Sequence, residues 1–441
     1  MADVHMQPAA RPFAGRIRPP GSKSLTNRAL ILAALADGTS TVRNALVADD
    51  TKVMLDGLRQ LGFDVTAEAD NAAGVCTVQV TGAGGRVPAK SASVFCGNSG
   101  TTIRFLTALC ALGEGTYELD GVARMRQRPI GPLVSLLNDL GADIRHAGEE
   151  GYPPISLQAD GLPGGTARFA TTSSSQYLSA VVMAGPYAKK PVRIELDWPQ
   201  TSWPYVKMTM WLMDRFGYLA EVEKDTDTGD PVAIVLPNEP YRATDYAVEP
   251  DASAASYFLA AAAVVPGSRI TIDGLGAESL QGDVGFAHVL GRMGAQVKMQ
   301  PHAITLTGPA GLSGIDVDLA DMPDVAQTLA VTALFAEGPT TIRSLHTLRV
   351  KETDRLAALE AELTKLSASV EIDGDTLHIA PPKELKPAEI DTYDDHRMAM
   401  SFAVAGVRAP GMVIRDAGCV AKTYPRFFED LRRVINGPAA E

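Results

Sequence analysis

The sequence is poor in cysteine and tryptophan, and it has no excess of positive charge. Four cysteines and three tryptophans occur among 441 residues, and 40 basic against 52 acidic side chains give a formal net charge of −12 at pH 7. Proteins that bind nucleic acid usually carry an excess of Lys and Arg that neutralises phosphates. We therefore expect no nucleic-acid partner.

The cysteines do not form the close pairs that metal sites and disulfide frameworks require. Cys76, Cys96, Cys110 and Cys419 are widely separated and include no Cys-x-x-Cys pair, so we expect buried thiols in a reducing compartment. The run from Asp394 to His396 could suggest a metal, but three adjacent side chains do not readily face one ion. We therefore expect no metal site.

Long apolar segments are also lacking. The first twenty residues contain no basic stretch followed by an apolar one, so we expect a cytoplasmic rather than a secreted protein. The longest run of small and apolar residues, from Ala252 to Val265, is shorter than the roughly 20 residues that span a bilayer. It predicts a buried helix and no membrane partner.

One pattern recurs along the chain: an amphipathic helix, a glycine just past its end, and a short β-like segment. The terminal residues are Gly62, Gly141, Gly217, Gly294 and Ser367, with a weaker match at Gly437, at intervals of 70 to 79 residues. Glycine ends helices because it adopts the left-handed conformation without strain. Six small α/β modules, arranged as two domains of three, would explain the spacing. The linker between the domains would then lie within residues 237–251. Alternatively, the pattern is common in α/β proteins and its even spacing is chance.

Two N-terminal segments have the composition of anion sites. In residues 18–38 a Pro-Pro-Gly turn precedes a helix that Ser24 or Thr26 could cap, and Lys23 and Arg28 flank its N-terminus, where backbone N–H groups favour an anion. A capped helix with solvated basic residues explains this segment equally well. The second segment, CGNSGTTIRF, is a Gly-rich turn before a helix, with Gly100 at the junction and Arg104 one turn in.

Arginine and hydroxyl side chains are concentrated further along. Arg124, Arg126 and Arg128 alternate, so an extended segment would direct all three to one side, unless they only line a solvated strand edge. Five hydroxyl residues run from Thr171 to Ser175, more than one helix cap needs, and Ser202 resembles the same device. The surplus favours a phosphate or polyol ligand.

The C-terminal half adds charged residues that have ordinary explanations when taken singly. Asp324 could cap the helix that follows it, and Glu352 could lie in a first helical turn for electrostatic reasons.

Taken in order, seven segments resemble the 5-enolpyruvylshikimate-3-phosphate synthase family from about residue 15 to 430. They are GSKSLTNRALILAALA, GNSGTTIRF, RMRQRPIGPL, SSQYLSA, LRVKETDRL, DDHRMAMSF and AKTYPRFF. The resemblance implies a mixed α/β fold of two similar domains, each of three βαβαββ units, arranged as an inside-out α/β barrel. The implied domains are 22–241 and 1–21 plus 242–441, with a cleft that closes on the substrates.

The resemblance also implies the reaction. The enolpyruvyl group of phosphoenolpyruvate passes to the 5-hydroxyl of shikimate 3-phosphate by addition and then elimination of phosphate, in the shikimate pathway to chorismate and the aromatic amino acids. It implies a monomer that is a target of glyphosate and uses no metal or organic cofactor.

The resemblance assigns residues to each substrate. Shikimate 3-phosphate would be bound by Lys23, Ser24, Arg28, Ser174, Ser175, Gln176, Ser202, Asp324, Thr347 and Lys351. Phosphoenolpyruvate would be bound by Lys23, Gly100, Arg124, Gln176, Arg355, Arg397 and Lys422. Several Arg and Lys side chains fit this task, since they offset the repulsion between two phosphorylated anions.

By the same resemblance, Asp324 is the base for the 5-hydroxyl, and Glu352, with Lys23, is the acid for the methylene carbon. Thr347 stands where the family commonly has Asn, which removes the paired hydrogen-bonding groups of an amide. Gly100 keeps the form that leaves room for glyphosate.

Two alternatives remain at this stage. UDP-N-acetylglucosamine enolpyruvyl transferase shares the fold and the donor, but it normally has a reactive cysteine in the loop that here reads GVARMRQRP. A non-catalytic binding protein on the same scaffold would be expected to lose the acid and base, yet Lys23, Asp324, Glu352 and Lys422 are all present.

Overall fold

A computed structural model describes residues 3–70 and 74–438. The chain forms two compact units: Gly21–Val248, called here the first unit, and Met1–Pro20 with Glu249–Glu441, called the second unit.

The helices are as follows: α1 (Lys23–Leu35), α2 (Asp49–Gln60), α3 (Gly100–Cys110), α4 (Gly131–Asp139), α5 (Ser175–Ala184), α6 (Trp203–Arg215), α7 (Ala252–Val264), α8 (Phe286–Arg292), α9 (Ala326–Thr332), α10 (Arg355–Lys365), α11 (His396–Arg408) and α12 (Phe427–Ile435).

The strands of the first unit are β3 (Asp37–Leu46), β4 (Asp64–Asp70), β5 (Val75–Ala83), β6 (Ser91–Phe95), β7 (Glu114–Asp120), β8 (Ile144–His146), β9 (Ile155–Asp160), β10 (Gly165–Phe169), β11 (Val192–Leu196), β12 (Glu221–Lys224), β13 (Pro231–Leu236) and β14 (Asp245–Ala247). Those of the second unit are β1 (Val4–His5), β2 (Ala14–Ile17), β15 (Arg269–Asp273), β16 (Gln296–Gln300), β17 (Ala303–Thr307), β18 (Leu312–Ser313), β19 (Asp316–Asp318), β20 (Ala336–Glu337), β21 (Thr340–Arg343), β22 (Ser369–Asp373), β23 (Thr376–Ala380), β24 (Glu389–Ile390) and β25 (Val413–Ile414).

One sheet design recurs in both units. In β6-β7-β9-β8, the first pair is parallel and the next two are antiparallel, and β10-β11-β13-β12 repeats this order. With their helices, these strands form βαβαββ units. The same order appears in β14-β3-β5-β4, β2-β15-β17-β16 and β19-β21-β23-β22, while a shorter sheet joins β24, β25 and β1. The predicted six-module fold is thereby confirmed.

The first helix of each module is buried on all sides. α3, α7 and α9 are buried at every residue, and α1, α5 and α11 are buried along almost their whole length. Helices of this kind have no polar face, so they pack against one another and not against water. The strands expose alternate residues, so within each unit the sheets form an outer layer around the helices.

The helix-ending pattern is confirmed at five of its six positions. Gly62, Gly141, Gly217 and Gly294 have positive φ, and Ser367 adopts the same conformation with φ 70°. Each is followed by a strand, from β4 to β22. Gly437 follows α12 without a positive φ, so the weaker sixth match does not share the left-handed turn.

The helix predicted from Ala252 and the cysteines are buried, as expected from the sequence. The helix is α7, and all four cysteines are buried and free. The linker region contains β14, which pairs in parallel with β3; contacts therefore place residues 242–248 in the first unit, whereas the sequence boundary falls after residue 241. Among residues 3–70 and 74–438, no helix is both long and apolar enough for a membrane span.

Candidate active site

The residues singled out from the sequence fall into two sets, one in each unit. The set in the first unit, called the Lys23 cluster, comprises Lys23, Ser24, Arg28, Gly100, Arg124, Ser174, Ser175, Gln176 and Ser202. The set in the second unit, called the Asp324 cluster, comprises Asp324, Thr347, Lys351, Glu352, Arg355, Arg397 and Lys422.

Lys23 is the first residue of α1. The helix is capped by Ser22, whose hydroxyl accepts from the backbone N–H of Leu25, and not by Ser24 or Thr26 as the sequence suggested. Thr26 instead accepts from the backbone N–H of Leu46. The Lys23 ammonium lies 3.3 Å from the Asp50 carboxylate.

Arg28 lies one turn into α1 and is only 1% exposed. Its guanidinium donates to Thr209 Oγ1 (2.7 Å), Ser179 Oγ (3.3 Å) and the Ser24 carbonyl (3.0 Å), all of them neutral groups. Burial lowers the pKa of Arg28 to about 10, so it stays cationic at neutral pH. A buried cation held by neutral acceptors gains strongly from an approaching anion.

Arg104 organises the N-terminus of α5. It donates to Gln176 Oε1 at 2.6 Å and to the Pro129 carbonyl at 3.0 Å, and it lies over the Tyr177 ring. Gln176 in turn donates to Thr101 Oγ1 at 3.2 Å. The sequence predicted Gln176 but did not assign Arg104, although a lone arginine among the apolar residues of a buried helix is the signal that could have found it.

The turn before α3 places Gly100 against Arg128. A Cβ on Gly100 would lie 2.7 Å from Arg128 Nη2 and 2.9 Å from its Cζ. Arg128 also donates to the Asn98 carbonyl at 2.9 Å, so its guanidinium is held beside the glycine-rich turn. Arg128, too, was not assigned from the sequence.

The expectation that Arg124, Arg126 and Arg128 share one side is wrong. Residues Met125–Gln127 form a 3-10 turn, which breaks the alternation of an extended segment. Arg126 is exposed and donates to Asp120, Arg128 is buried, and Arg124 is partly exposed and donates to Gln127 at 3.2 Å.

The hydroxyl residues from Thr171 to Ser175 have different roles in the structure. Ser174 caps α5 by accepting from the N–H of Gln176, while Thr171 donates to the Pro199 carbonyl. Ser175 is buried as the first residue of the helix. Ser202 precedes α6 with φ 50°, and its hydroxyl does not cap that helix, so the cap suggested by the sequence is not formed.

In the second unit, Asp324 lies among three cationic side chains. Its Oδ2 accepts from Arg397 Nη2 at 2.7 Å, and its Oδ1 lies 3.6 Å from both Lys351 Nζ and Arg355 Nη1. It is part of a 3-10 turn (Pro323–Val325) and provides no side-chain cap to α9. The alternative of a simple capping residue is therefore wrong.

Arg355 is buried among carboxylates in the Asp324 cluster. It donates to Asp395 at 2.7 and 3.2 Å and to Glu352 Oε2 at 2.9 Å. Burial disfavours its charge, but the Asp395 and Glu352 carboxylates outweigh this, and the pKa of Arg355 is raised. Asp395 was considered from sequence only as a metal ligand, and its role as partner of this arginine was missed.

Glu352 precedes α10, which begins at Arg355 and is capped by Asp354, so Glu352 does not lie in a first helical turn. It is buried, and its second oxygen lies 3.8 Å from Lys422 Nζ. Thr347 is also buried, and among the described residues its hydroxyl has no hydrogen-bond partner.

A buried carboxyl group, Asp283, lies near Asp324 and accepts from the Ser253 hydroxyl. Burial first, and the Asp324 carboxylate second, raise the pKa of Asp283 to about 6. Arg397 partly offsets this shift, and Asp251 adds to it. Asp283 therefore binds its proton more tightly in the folded chain than when unfolded.

This difference predicts a pH-dependent stability. Asp283 adds to the free energy of unfolding because the folded chain binds its proton more tightly. This contribution is fully present below about pH 3.8, the pKa of Asp283 in the unfolded chain, and is lost as pH rises through about 6. Asp283→Asn has no such proton to lose. Its free energy of unfolding, minus that of the unchanged protein, should therefore rise by about 1–3 kcal/mol as pH increases from 4 to 7. Denaturant unfolding of both proteins across this range measures the difference, and a constant difference would contradict the assignment.

Structural comparison first identifies the class. An EPSP synthase from Acinetobacter baumannii aligns with a TM-score of 0.79 at 26% identity, covering 97% of each chain. The enolpyruvyl transferase NikO from Streptomyces tendae aligns with a TM-score of 0.75 over 98% of this chain and 96% of that one, at 20% identity, which shows the fold alone. The fold is that of the enolpyruvyl transferases.

Sequence comparison then identifies the family. The profile for EPSP synthase (3-phosphoshikimate 1-carboxyvinyltransferase) matches residues 8–431. The chloroplastic 3-phosphoshikimate 1-carboxyvinyltransferase of Brassica napus is 46% identical over 449 residues, covering 98% of this chain and 85% of that protein. The Nostoc punctiforme 3-phosphoshikimate 1-carboxyvinyltransferase is 45% identical over 428 residues, covering 97% and 98%. The chain belongs to the EPSP synthase family, which confirms the resemblance drawn from its motifs.

Proposed function

We propose that the chain transfers the enolpyruvyl group of phosphoenolpyruvate to the 5-hydroxyl of shikimate 3-phosphate and releases phosphate, in the shikimate pathway. The family membership supports this function. The observation that carries the mechanism is the position of Asp324 among Lys351, Arg355 and Arg397.

Each of the two phosphorylated anions is bound by several of the side chains named from the sequence. Arg28, Lys23 and the hydroxyls of Ser174 and Ser175 take shikimate 3-phosphate, since a buried guanidinium and a helix N-terminus both favour a phosphate. Ser24, Ser202, Gln176, Thr347 and Lys351 complete this site. Phosphoenolpyruvate is bound by Lys23, Gly100, Arg124, Gln176, Arg355, Arg397 and Lys422.

In the addition step, the 5-hydroxyl oxygen bonds to C2 of phosphoenolpyruvate, its proton passes to Asp324, and C3 receives a proton. The cations around Asp324 keep it a carboxylate, which is the form that a base requires. In the elimination step, C3 returns a proton to Glu352 and the C2–O bond to phosphate breaks, which leaves the enol ether. The phosphate departs with the electron pair of that bond and with the proton that Asp324 took from the 5-hydroxyl.

Glu352 supplies the proton to C3, with Lys23 assisting. One oxygen of Glu352 accepts from Arg355 at 2.9 Å, and the other lies 3.8 Å from Lys422 Nζ. When phosphoenolpyruvate binds Arg355 and Lys422, these cations interact less with Glu352. The buried position of Glu352 then favours its protonated form. Substrate binding thereby prepares the acid.

The acceptor distinguishes this function from that of UDP-N-acetylglucosamine enolpyruvyl transferase. The relatives reported above do not favour the latter, and no cysteine occurs between Cys110 and Cys419 to supply its reactive thiol. Phosphate release should occur with phosphoenolpyruvate and shikimate 3-phosphate together, and not with either alone or with the UDP-sugar as acceptor. Release with the UDP-sugar would reverse the assignment, and the absence of release with either acceptor would favour the non-catalytic alternative.

Glyphosate should inhibit turnover in competition with phosphoenolpyruvate, and Gly100→Ala should weaken that inhibition. The new Cβ would lie 2.7 Å from Arg128 Nη2, so the guanidinium must shift. We expect the inhibition constant to rise on the order of tenfold or more, with a smaller rise in KM for phosphoenolpyruvate. Gly148→Ala is a matched control, because its Cβ would make only an ordinary 3.4 Å contact. Unchanged inhibition of Gly100→Ala would contradict the prediction.

The protein further acts as a cytoplasmic monomer. It has no nucleic-acid partner, which its net charge of −12 supports. Light scattering during gel filtration tests the monomer.

A further inference from the structure

The loop between β24 and α11 has an unfavourable backbone conformation. Tyr393 and Asp394 are consecutive non-glycine residues with φ of 55° and 53°. Such residues prefer other conformations, and a pair of them persists only where surrounding contacts hold it. Contacts with other parts of the second unit must therefore stabilise the conformation of this loop.

Those contacts come from Glu362 on α10, whose side chain is 0% exposed. One of its carboxylate oxygens accepts from Tyr393 Oη at 2.7 Å, and the other accepts from the Asp391 backbone N–H at 3.1 Å. Lys365 lies 2.8 Å from Glu362 and 2.7 Å from Asp391, which joins the same two elements again.

α10 holds the far end of the loop as well. Arg355, its first residue, donates to Asp395, where the loop ends. Asp395 also accepts from the backbone N–H of Arg397 at 2.8 Å and so caps α11. Arg397 then reaches Asp324 at 2.7 Å. A continuous set of contacts thus runs from Glu362 through the loop to two arginines of the Asp324 cluster.

We propose that Glu362 is a positioning residue that, through Tyr393 and Asp391, holds the strained loop so that Arg355 and Arg397 keep their places for phosphoenolpyruvate. This inference rests on the proposed function for its substrate, but the loop contacts themselves do not. Among the described residues, neither Glu362 nor Tyr393 forms a hydrogen bond or an ion pair with the residues assigned to chemistry. Their effect is carried by the backbone of residues 391–395.

The test compares Glu362→Gln, Tyr393→Phe and the double variant with Glu360→Gln as control. Glutamine keeps the size of Glu362 but presents an N–H₂ group in place of one acceptor, so one of the two bonds to the loop is lost. Glu360 is an exposed residue on the same helix and therefore changes charge without touching the loop.

We expect KM for phosphoenolpyruvate to rise on the order of tenfold in Glu362→Gln, with KM for shikimate 3-phosphate changed less than about twofold. Tyr393→Phe should show a smaller rise, and the two effects should not add, because both remove the same support. Amide hydrogen exchange across residues 389–398 should accelerate in Glu362→Gln and not in Glu360→Gln.

A merely structural role would lower thermal stability and the active fraction while leaving both KM values unchanged, and that result would overturn the proposal. So would unaltered exchange of the loop in Glu362→Gln. If the unchanged protein shows no turnover with the two substrates, the proposed function fails, and the exchange comparison still decides whether Glu362 holds the loop.

Discussion

Replacing Asp324 by asparagine is expected to lower kcat by a factor on the order of 10² to 10³ or more. Asparagine has nearly the same shape, but it cannot accept the proton of the 5-hydroxyl. It also removes the negative charge that pairs with Arg397 at 2.7 Å and with Lys351 and Arg355 at 3.6 Å. Steady-state phosphate release with both substrates saturating measures the effect.

The matched control is Asp373→Asn, an exposed carboxylate on β22 of the same unit. It should leave turnover unchanged. Full turnover by Asp324→Asn would contradict the role of Asp324 as base, whereas a loss confined to KM would make it a binding residue.

Arg355→Met is expected to have the largest effect on stability. Arg355 is buried against Asp395, Glu352 and Asp324, so methionine leaves three carboxylates without their shared cation. Breaking a buried ion pair by removing one partner typically costs about 3–5 kcal/mol. Denaturant unfolding should show this loss, and turnover of the folded fraction should fall by on the order of 10² or more.

Arg355→Lys separates charge from geometry. Lysine restores a positive charge but cannot donate in parallel to both oxygens of Asp395, so it should recover part of the stability and little of the turnover. Arg355→Met with unchanged stability and unchanged KM for phosphoenolpyruvate would show that Arg355 neither holds these carboxylates nor binds the donor.

Much of the fold could be predicted because local rules and tertiary packing agree in it. A glycine that ends a helix is a backbone requirement, so Gly62, Gly141, Gly217 and Gly294 were visible without any tertiary information. The run of small and apolar residues in α7 likewise indicates burial on every side. The site residues were visible for another reason, namely that they lie in short motifs with a family resemblance.

The remainder depends on contacts between residues distant in sequence. No local pattern shows that Arg355 would pair with Asp395, forty residues away, or that Glu362 would accept from Tyr393. The alternation of Arg124, Arg126 and Arg128 suggested a strand, but a 3-10 turn placed them apart. The position of a helix boundary is equally hard to predict when several neighbouring hydroxyl residues could cap the helix. The sequence suggested Ser24, but Ser22 is the capping residue.

Net charge illustrates the difference between an average and an arrangement. The chain carries −12 overall, yet Lys351, Arg355 and Arg397 surround one carboxylate in the second unit. Arg28 is buried among neutral groups in the first unit. Local cations of this kind suit phosphorylated anions, although the composition alone suggests a protein that repels them.

The chemical identity of the organic product shows whether the protein transfers an enolpyruvyl group to shikimate 3-phosphate. The protein should be incubated with phosphoenolpyruvate and shikimate 3-phosphate, and the organic product examined by mass spectrometry and NMR. We expect one enolpyruvyl ether, on the 5-hydroxyl of shikimate 3-phosphate, formed with an equal amount of phosphate, and formed on the order of 10² to 10³ more slowly by Asp324→Asn. An unmodified acceptor, or phosphate released without an enol ether, would contradict this expectation.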